Sequence, residues 1–203
     1  MNTRTKPCAT MAVLAISGAL VAAGFAQSTP GSKPAADAAG TQAGHRADQP
    51  ETPQQVMAKR AGEYTREIQF LNSSGPQGEP FAGTSKISVI LDGHFLMEEN
   101  DDVVFGKPVH GIRIYGFNNA TGNYELASLY TMSNAILLFT GTSSDGGKTV
   151  DYSGESATAK GEKLTLRAHF RQLNDDQFVV TVANMGADGK ESPFQSTTYK
   201  RKK

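Results

Sequence analysis

Residues 163–185 read KLTLRAHFRQLNDDQFVVTVANM. Here Leu164, Leu166, Ala168 and Phe170 alternate with Thr165, Arg167, His169 and Arg171, and a period of two places the apolar set on one face of a strand. Asn174-Asp175-Asp176 then supplies residues that favour turns. The alternation resumes with Phe178, Val180 and Val182 against Val179, Thr181 and Ala183, a second strand that is apolar on both faces. The stretch is an antiparallel hairpin with one face that must be covered.

The same texture extends to both sides. β-branched and aromatic residues are broken by Gly, Asp and Asn at the spacing of an all-β fold. Strands are expected near Glu63–Phe70, Gly83–Leu91, His94–Glu99, Asp102–Phe105, Gly111–Asn118, Tyr124–Thr131, Ala135–Thr142, Thr149–Glu155, Lys163–Gln172, Gln177–Met185 and Phe194–Arg201. The connections, such as Asn118–Gly122, Asp145–Lys148 and Ala187–Lys190, are short and join antiparallel neighbours. No segment between them could form a crossover helix, so a parallel α/β nucleotide-binding fold is excluded. Many short strands with one apolar face remove their edges by closing. An antiparallel up-and-down β-barrel of about 8–10 strands follows, preceded by one short helix over Gln54–Arg60 with Thr52 as N-cap and Pro53 at N1.

Upstream, Arg4 and Lys6 precede the uncharged run Met11–Phe25, and Gly24-Phe25-Ala26 places small residues at −3 and −1. This is the order of a secretory signal peptide over residues 1–26, with cleavage before Gln27, and the run falls short of the about 20 residues of a membrane span. The protein is therefore expected to be exported, periplasmic or secreted, with no stable membrane insertion after cleavage. Residues 27–53 contain no aliphatic or aromatic residue larger than Ala and read as a disordered Ala/Gly/Pro-rich spacer, which leaves residues 54–203 as the barrel domain.

The chain has 203 residues with Lys+Arg 20 and Asp+Glu 20. A balanced charge lacks the basic excess of a nucleic-acid binder, and none is expected as a partner. The leader takes away two basic and no acidic residues, leaving 18 basic against 20 acidic. It also takes away Cys8, the one Cys, so a thiol nucleophile, a disulfide framework and a Cys-ligated metal drop out together. No Gly-x-Ser-x-Gly elbow and no phosphate-binding Gly-rich loop is present. His94 and Glu98, four apart on a strand, would be about 13 Å apart at about 3.3 Å per residue, too far to share a metal. No metal, cofactor or catalytic residue is expected. His169 is expected on a solvated outer face with Arg167 and Arg171, and Glu98, Glu99 and Asn100-Asp101-Asp102 as solvated rim charges.

Four segments resemble the DUF1579 family, which is grouped with the lipocalin-like, or calycin, barrels. Ala61-Gly62-Glu63-Tyr64 is similar to its opening Gly-x-Trp strand, with Tyr64 in place of the Trp, and Leu91–Glu99 (LDGHFLMEE) to its Leu-x-Gly-x-Phe-Leu-x-Glu segment. Gly116–Tyr124 (GFNNATGNY) resembles its Gly-Tyr-Asp-x-x-Thr-Gly-x-Tyr hairpin, and Asp188–Glu191 with Thr198–Arg201 its closing hairpin and strand. The resemblance covers about Val56–Lys203 and implies a lipocalin-like architecture; it carries no activity.

A barrel of this size holds packed side chains or one small ligand. The polar-tipped candidates to line or rim such an interior are Tyr64, Arg66, Arg113, Tyr115, Tyr124, Tyr130 and Tyr199. The leading expectation is a non-enzymatic exported barrel that binds a small apolar or amphipathic molecule. Two other readings stay open here: a cell-envelope structural or interaction module with a filled barrel, and an enzyme of unrecognised type. The oligomeric state is left open as well.

Overall fold

The computed structural model describes residues 51–158 and 160–203. The expected leader and residues 27–50 of the expected spacer lie outside the described residues. A helix, α1 (Pro53–Ala58), is followed by ten strands: β1 (Gly62–Asn72), β2 (Gly75–Ile90), β3 (Phe95–Val104), β4 (Lys107–Asn118), β5 (Asn123–Tyr130), β6 (Leu137–Thr142), β7 (Thr149–Ala157), β8 (Lys163–Asn174), β9 (Gln177–Met185) and β10 (Glu191–Arg201). Each strand pairs antiparallel with the next, and β10 returns to β1 to close the barrel. The fold is the all-β up-and-down barrel with one short helix that the alternation requires.

The strand count corrects one expectation. The segments His94–Glu99 and Asp102–Phe105 belong to a single strand, β3, because Asn100 and Asp101 do not break the ladder. Asn100 stands opposite Ser85 on one side and Gly111 on the other, and Asp101 opposite Thr84 and His110. The real turn comes at Phe105 and Gly106, with φ of 51° and 74°, the left-handed pair that a tight hairpin requires. β2 also begins at Gly75, earlier than expected, since the β1–β2 hairpin continues past an irregularity between Ile68 and Phe70.

Helix α1 forms where its capping chemistry stands. The Thr52 hydroxyl accepts the Gln55 N–H at 3.3 Å while the Gln55 side chain accepts the Thr52 N–H at 2.8 Å, a reciprocal box that satisfies two otherwise orphaned donors. The helix packs on β3 and β4, Met57 is buried in the core, and the Gln54 amide donates to Asn119 in the β4–β5 turn at 3.1 Å. One end of the barrel is thereby capped. The opposite end carries the β1–β2, β3–β4 and β5–β6 connections and has no helix.

Inside, the alternation of β8 places Leu166, Ala168 and Phe170 in the core. Their neighbours Phe178, Tyr199 and Tyr64 fill the capped end, with the Phe178 and Tyr199 rings stacked at 4.1 Å.

Candidate functional site

The uncapped half of the barrel is hollow. A cavity of about 220 Å³ runs from Tyr152 and Phe170 toward Phe70, Met132 and Phe194 at the open end. Its walls are mostly apolar: Leu126, Leu137, Phe139, Leu166, Val180 and Val182 face it, and Ala168 leaves room where a larger residue would fill it. At the mouth Phe70, Phe81 and Phe105 form a three-ring cluster with centroids 4.8 to 5.8 Å apart.

Against one wall lies a buried ionic network. Glu98, on the inward face of β3, is 0% exposed. Its carboxylate accepts from the Tyr115 hydroxyl at 2.5 Å, the Tyr199 hydroxyl at 2.8 Å, Ser85 at 3.2 Å and Arg113 at 3.4 Å. Arg113 also donates to the Tyr199 oxygen at 2.6 Å. Two inward steps along the same face, past Asn100, Asp102 pairs with Arg66 at 2.6 Å. Gly83 sits opposite both Arg66 and Asp102, and a Cβ there would collide with the Asp102 carboxylate.

The charges explain the protonation states. Burial by itself would raise the Glu98 carboxyl, but the Arg113 and Arg66 guanidinium groups and the two tyrosine hydroxyls outweigh it, so Glu98 is held below the ordinary carboxylate value. Burial, reinforced by the Glu98 charge, pushes the Tyr115 and Tyr199 hydroxyls up. Burial raises the Asp102 carboxyl, and Arg66 offsets this only in part. Burial likewise pushes Tyr152 up to about 12.

Of the seven candidate residues, Arg66, Arg113, Tyr115 and Tyr130 line the cavity, with the Arg113 guanidinium 5.4 Å from the Tyr130 ring. Tyr199 stands behind them, joined through Glu98. Tyr64 and Tyr124 do not line it. Tyr64 donates to the Arg60 carbonyl at 2.8 Å and packs edge-on to Phe178, and Tyr124 packs edge-on to Phe117.

Glu98 and Asp102 correct the expectation of rim charges: both point inward, while Glu99 and Asp101 point to solvent. A signal for this was present, since Leu96, Glu98, Asn100, Asp102 and Val104 are spaced by two and are all buried. Breaking the strand at Asn100 hides that pattern. Arg60 and Tyr152 were also absent from the candidates. His94 lies in an exposed turn, away from the buried Glu98. Among the described residues, no three His, Cys, Asp or Glu side chains come together as a metal site would need.

The family described as "Protein of unknown function (DUF1579)" matches residues 49–201. The chain belongs to the DUF1579 family. Among curated proteins, none matches it. Its fold is similar to that of the S-type phycobiliprotein lyase CPES from Guillardia theta, at 10% identity and a TM-score of 0.51, over 75% of this chain and 94% of that one. A redesigned β-barrel bound to DFHBI also matches, at 10% identity and a TM-score of 0.39, over 70% and 99%. The DUF1579 match begins ahead of α1 and ends at the last residue of β10, so the helical cap lies within the family's span, as does the inward row of β3.

Proposed function

We propose that this DUF1579 chain is an exported, non-enzymatic barrel that binds a small apolar or amphipathic molecule in its interior. The observation that carries the reading is the cavity itself, about 220 Å³ and lined mainly by aliphatic and aromatic side chains. That is about seven water volumes at roughly 30 Å³ each, and water placed along such walls would find few partners. The protonation states favour binding over proton transfer. A general acid or base works best when its pKa lies near the operating pH, whereas Glu98 is held low and Tyr115 and Tyr199 are held high. The phycobiliprotein lyase shares the closed-barrel architecture, which is compatible with an interior site. Export rests on the order of basic residues, apolar run and small-residue site over residues 1–26.

The test is the titration of an uncharged, environment-sensitive dye into the wild type and Ala168→Leu. Ala168 is buried on the cavity wall, so the added methyl groups would occupy the space the dye needs. Stoichiometric binding that disappears in a still-folded Ala168→Leu supports the proposal. Absence of dye binding, together with unfolding of Ala168→Leu by overpacking, would show an interior already filled. Sequencing the amino terminus of exported protein should begin near Gln27; an intact Met1 would overturn the export reading.

A further inference from the structure

The buried charges of the barrel do not balance. Arg60, Arg66 and Arg113 are buried, against the buried carboxylates Glu98 and Asp102. Arg66 pairs with Asp102 and Arg113 with Glu98. Arg60, just past α1, has no carboxylate within ion-pair distance among the described residues. Its guanidinium lies on the face of the Phe170 ring, 3.7 Å from the centroid, and donates to the Gly147 carbonyl at 2.5 Å. Its Nε–H has no acceptor. A buried cation without a counter-ion is costly, and burial lowers the Arg60 pKa accordingly.

A second unpartnered group stands nearby. The Tyr152 side chain is 2% exposed and lines the cavity, and its hydroxyl has no hydrogen-bond partner. Tyr152 on β7 faces Ala168 on β8, one inward step from Phe170, the ring on which Arg60 lies. Tyr152 is also foremost among the tyrosines whose electrostatic influence reaches Arg60. An N–H donor and an O–H donor are therefore both buried and both unused at the inner end of an apolar cavity: Tyr152 lines it, and Arg60 lies against the ring of Phe170, which lines it too. Buried polar groups are almost always satisfied, and orphans of this kind call for a missing partner.

We propose that the cavity takes a singly charged amphipathic anion, its carboxylate-like head received by Arg60 and the Tyr152 hydroxyl and its apolar part directed toward the Phe70 and Phe105 mouth. This rests on the reading of the barrel as a binding module and specifies its ligand class. One negative charge matches the one guanidinium without a counter-ion, and an anion accepting from the Arg60 Nε–H and the Tyr152 hydroxyl would partner the two donors that have no acceptor.

The experiment is calorimetric titration of the full mature chain with octanoate and with octanol at neutral pH, in the wild type, Arg60→Met and Tyr152→Phe. The readout is the ratio of the two affinities. Octanoate should bind about tenfold or more tightly than octanol, as expected for charge-assisted hydrogen bonds. Arg60→Met should erase that ratio and Tyr152→Phe should lower it severalfold. Tyr152→Phe keeps the ring and its packing, so it decides the matter if Arg60→Met does not fold. Octanol binding as tightly as octanoate would overturn the anion inference and leave the cavity reading intact. A preference for octanoate that persists undiminished in Tyr152→Phe would place the head elsewhere and overturn it too. Failure of both probes to bind would sink the cavity reading, and this inference with it.

Discussion

At the helix end of the barrel, Tyr64, Phe178 and Tyr199 pack edge and face against one another with almost no exposure. At the far end Phe70, Phe81 and Phe105 make a similar three-ring contact, yet Phe105 is 59% exposed and a cavity opens beside the cluster. Both clusters stand on the same closed sheet. The difference lies in what covers them. Helix α1 and its Met57 seal one end, while the other has only connections between strands. Closing a sheet removes its edges but leaves two ends, and an end becomes core only when another element packs over it. The sealed end is packed as core, and the open end keeps a cavity.

That contrast is broken or sharpened first at Glu98. Glu98→Gln should destabilise the barrel by about 3–5 kcal/mol, because Arg113 would remain buried without its counter-charge. Urea unfolding at pH 7 measures it. Since the folded carboxyl lies below its unfolded value, its contribution is present above about pH 4.3 and is lost as the pH falls through the folded value. The gap between wild type and variant should therefore close in acid. A loss below about 1 kcal/mol at pH 7 would mean that the network behaves as a surface one and that the two halves are alike. Phe170 lies between the halves, touching both Arg60 and Phe178. Phe170→Ala should cost about 3 kcal/mol, the low end for a buried aromatic, because part of its surface already faces a cavity. A cost well above that by the same unfolding measurement would indicate that the cavity is closed over in solution.

What was legible in the sequence, and what was not, follows the same division. The barrel could be read from residues 163–185 because alternation is local: each strand carries its own inward face. The family resemblance likewise rests on short segments such as Gly116–Tyr124. Residue type, an apolar body with a polar tip, picks out Arg66, Arg113, Tyr115 and Tyr130 as interior candidates, but it picks out Tyr64 and Tyr124 equally, and these do not line the cavity. Glu98 is legible only in part: the period of two from Leu96 to Val104 marks it as inward once β3 is read unbroken, but the partners that make its burial tolerable lie far along the chain, Tyr199 being 101 residues away. Arg60 is a harder case. It follows a helix with no strand alternation to orient it, and the carbonyl that holds it, Gly147, is 87 residues distant. Charged residues are solvated by default, and only the closed structure shows which exceptions have partners.

The mouth gives a smaller effect. Phe105 has φ of 51°, a left-handed conformation that costs a bulky residue about 1–2 kcal/mol and that Asn tolerates. Phe105→Asn should relieve that strain while losing the ring contacts to Phe70 and Phe81, for a net change within about 1 kcal/mol. Dissociation of a bound dye, followed by stopped flow, should nevertheless become faster, since one of the three rings at the opening is gone. An unchanged off-rate accompanied by a clear loss of stability would make the ring cluster a structural closure like the one under α1, and the two ends would no longer differ in kind.

The smallest effect belongs to the outer wall, where His169 on β8 donates toward Asp151 on β7 at 2.7 Å and Glu191 on β10 at 2.8 Å. The expected solvated histidine is thus a bridge between carboxylates, although its side chain remains 35% exposed. Burial pulls its pKa down, but the hydrogen bonds and charges of the two carboxylates outweigh this and hold it above 6.5. A raised value means that the fold favours the charged ring. Its contribution is therefore fully present below the unfolded pKa of about 6.5 and fades as the pH rises through the folded one. Solvent screening limits such a pair to about 1 kcal/mol at most. His169→Ala should lower the melting temperature by a few degrees at about pH 6, and this difference should shrink toward zero by about pH 9. A difference that instead grew with pH would show that the neutral ring is the stabilising form, held by packing on the wall and not by the two carboxylates.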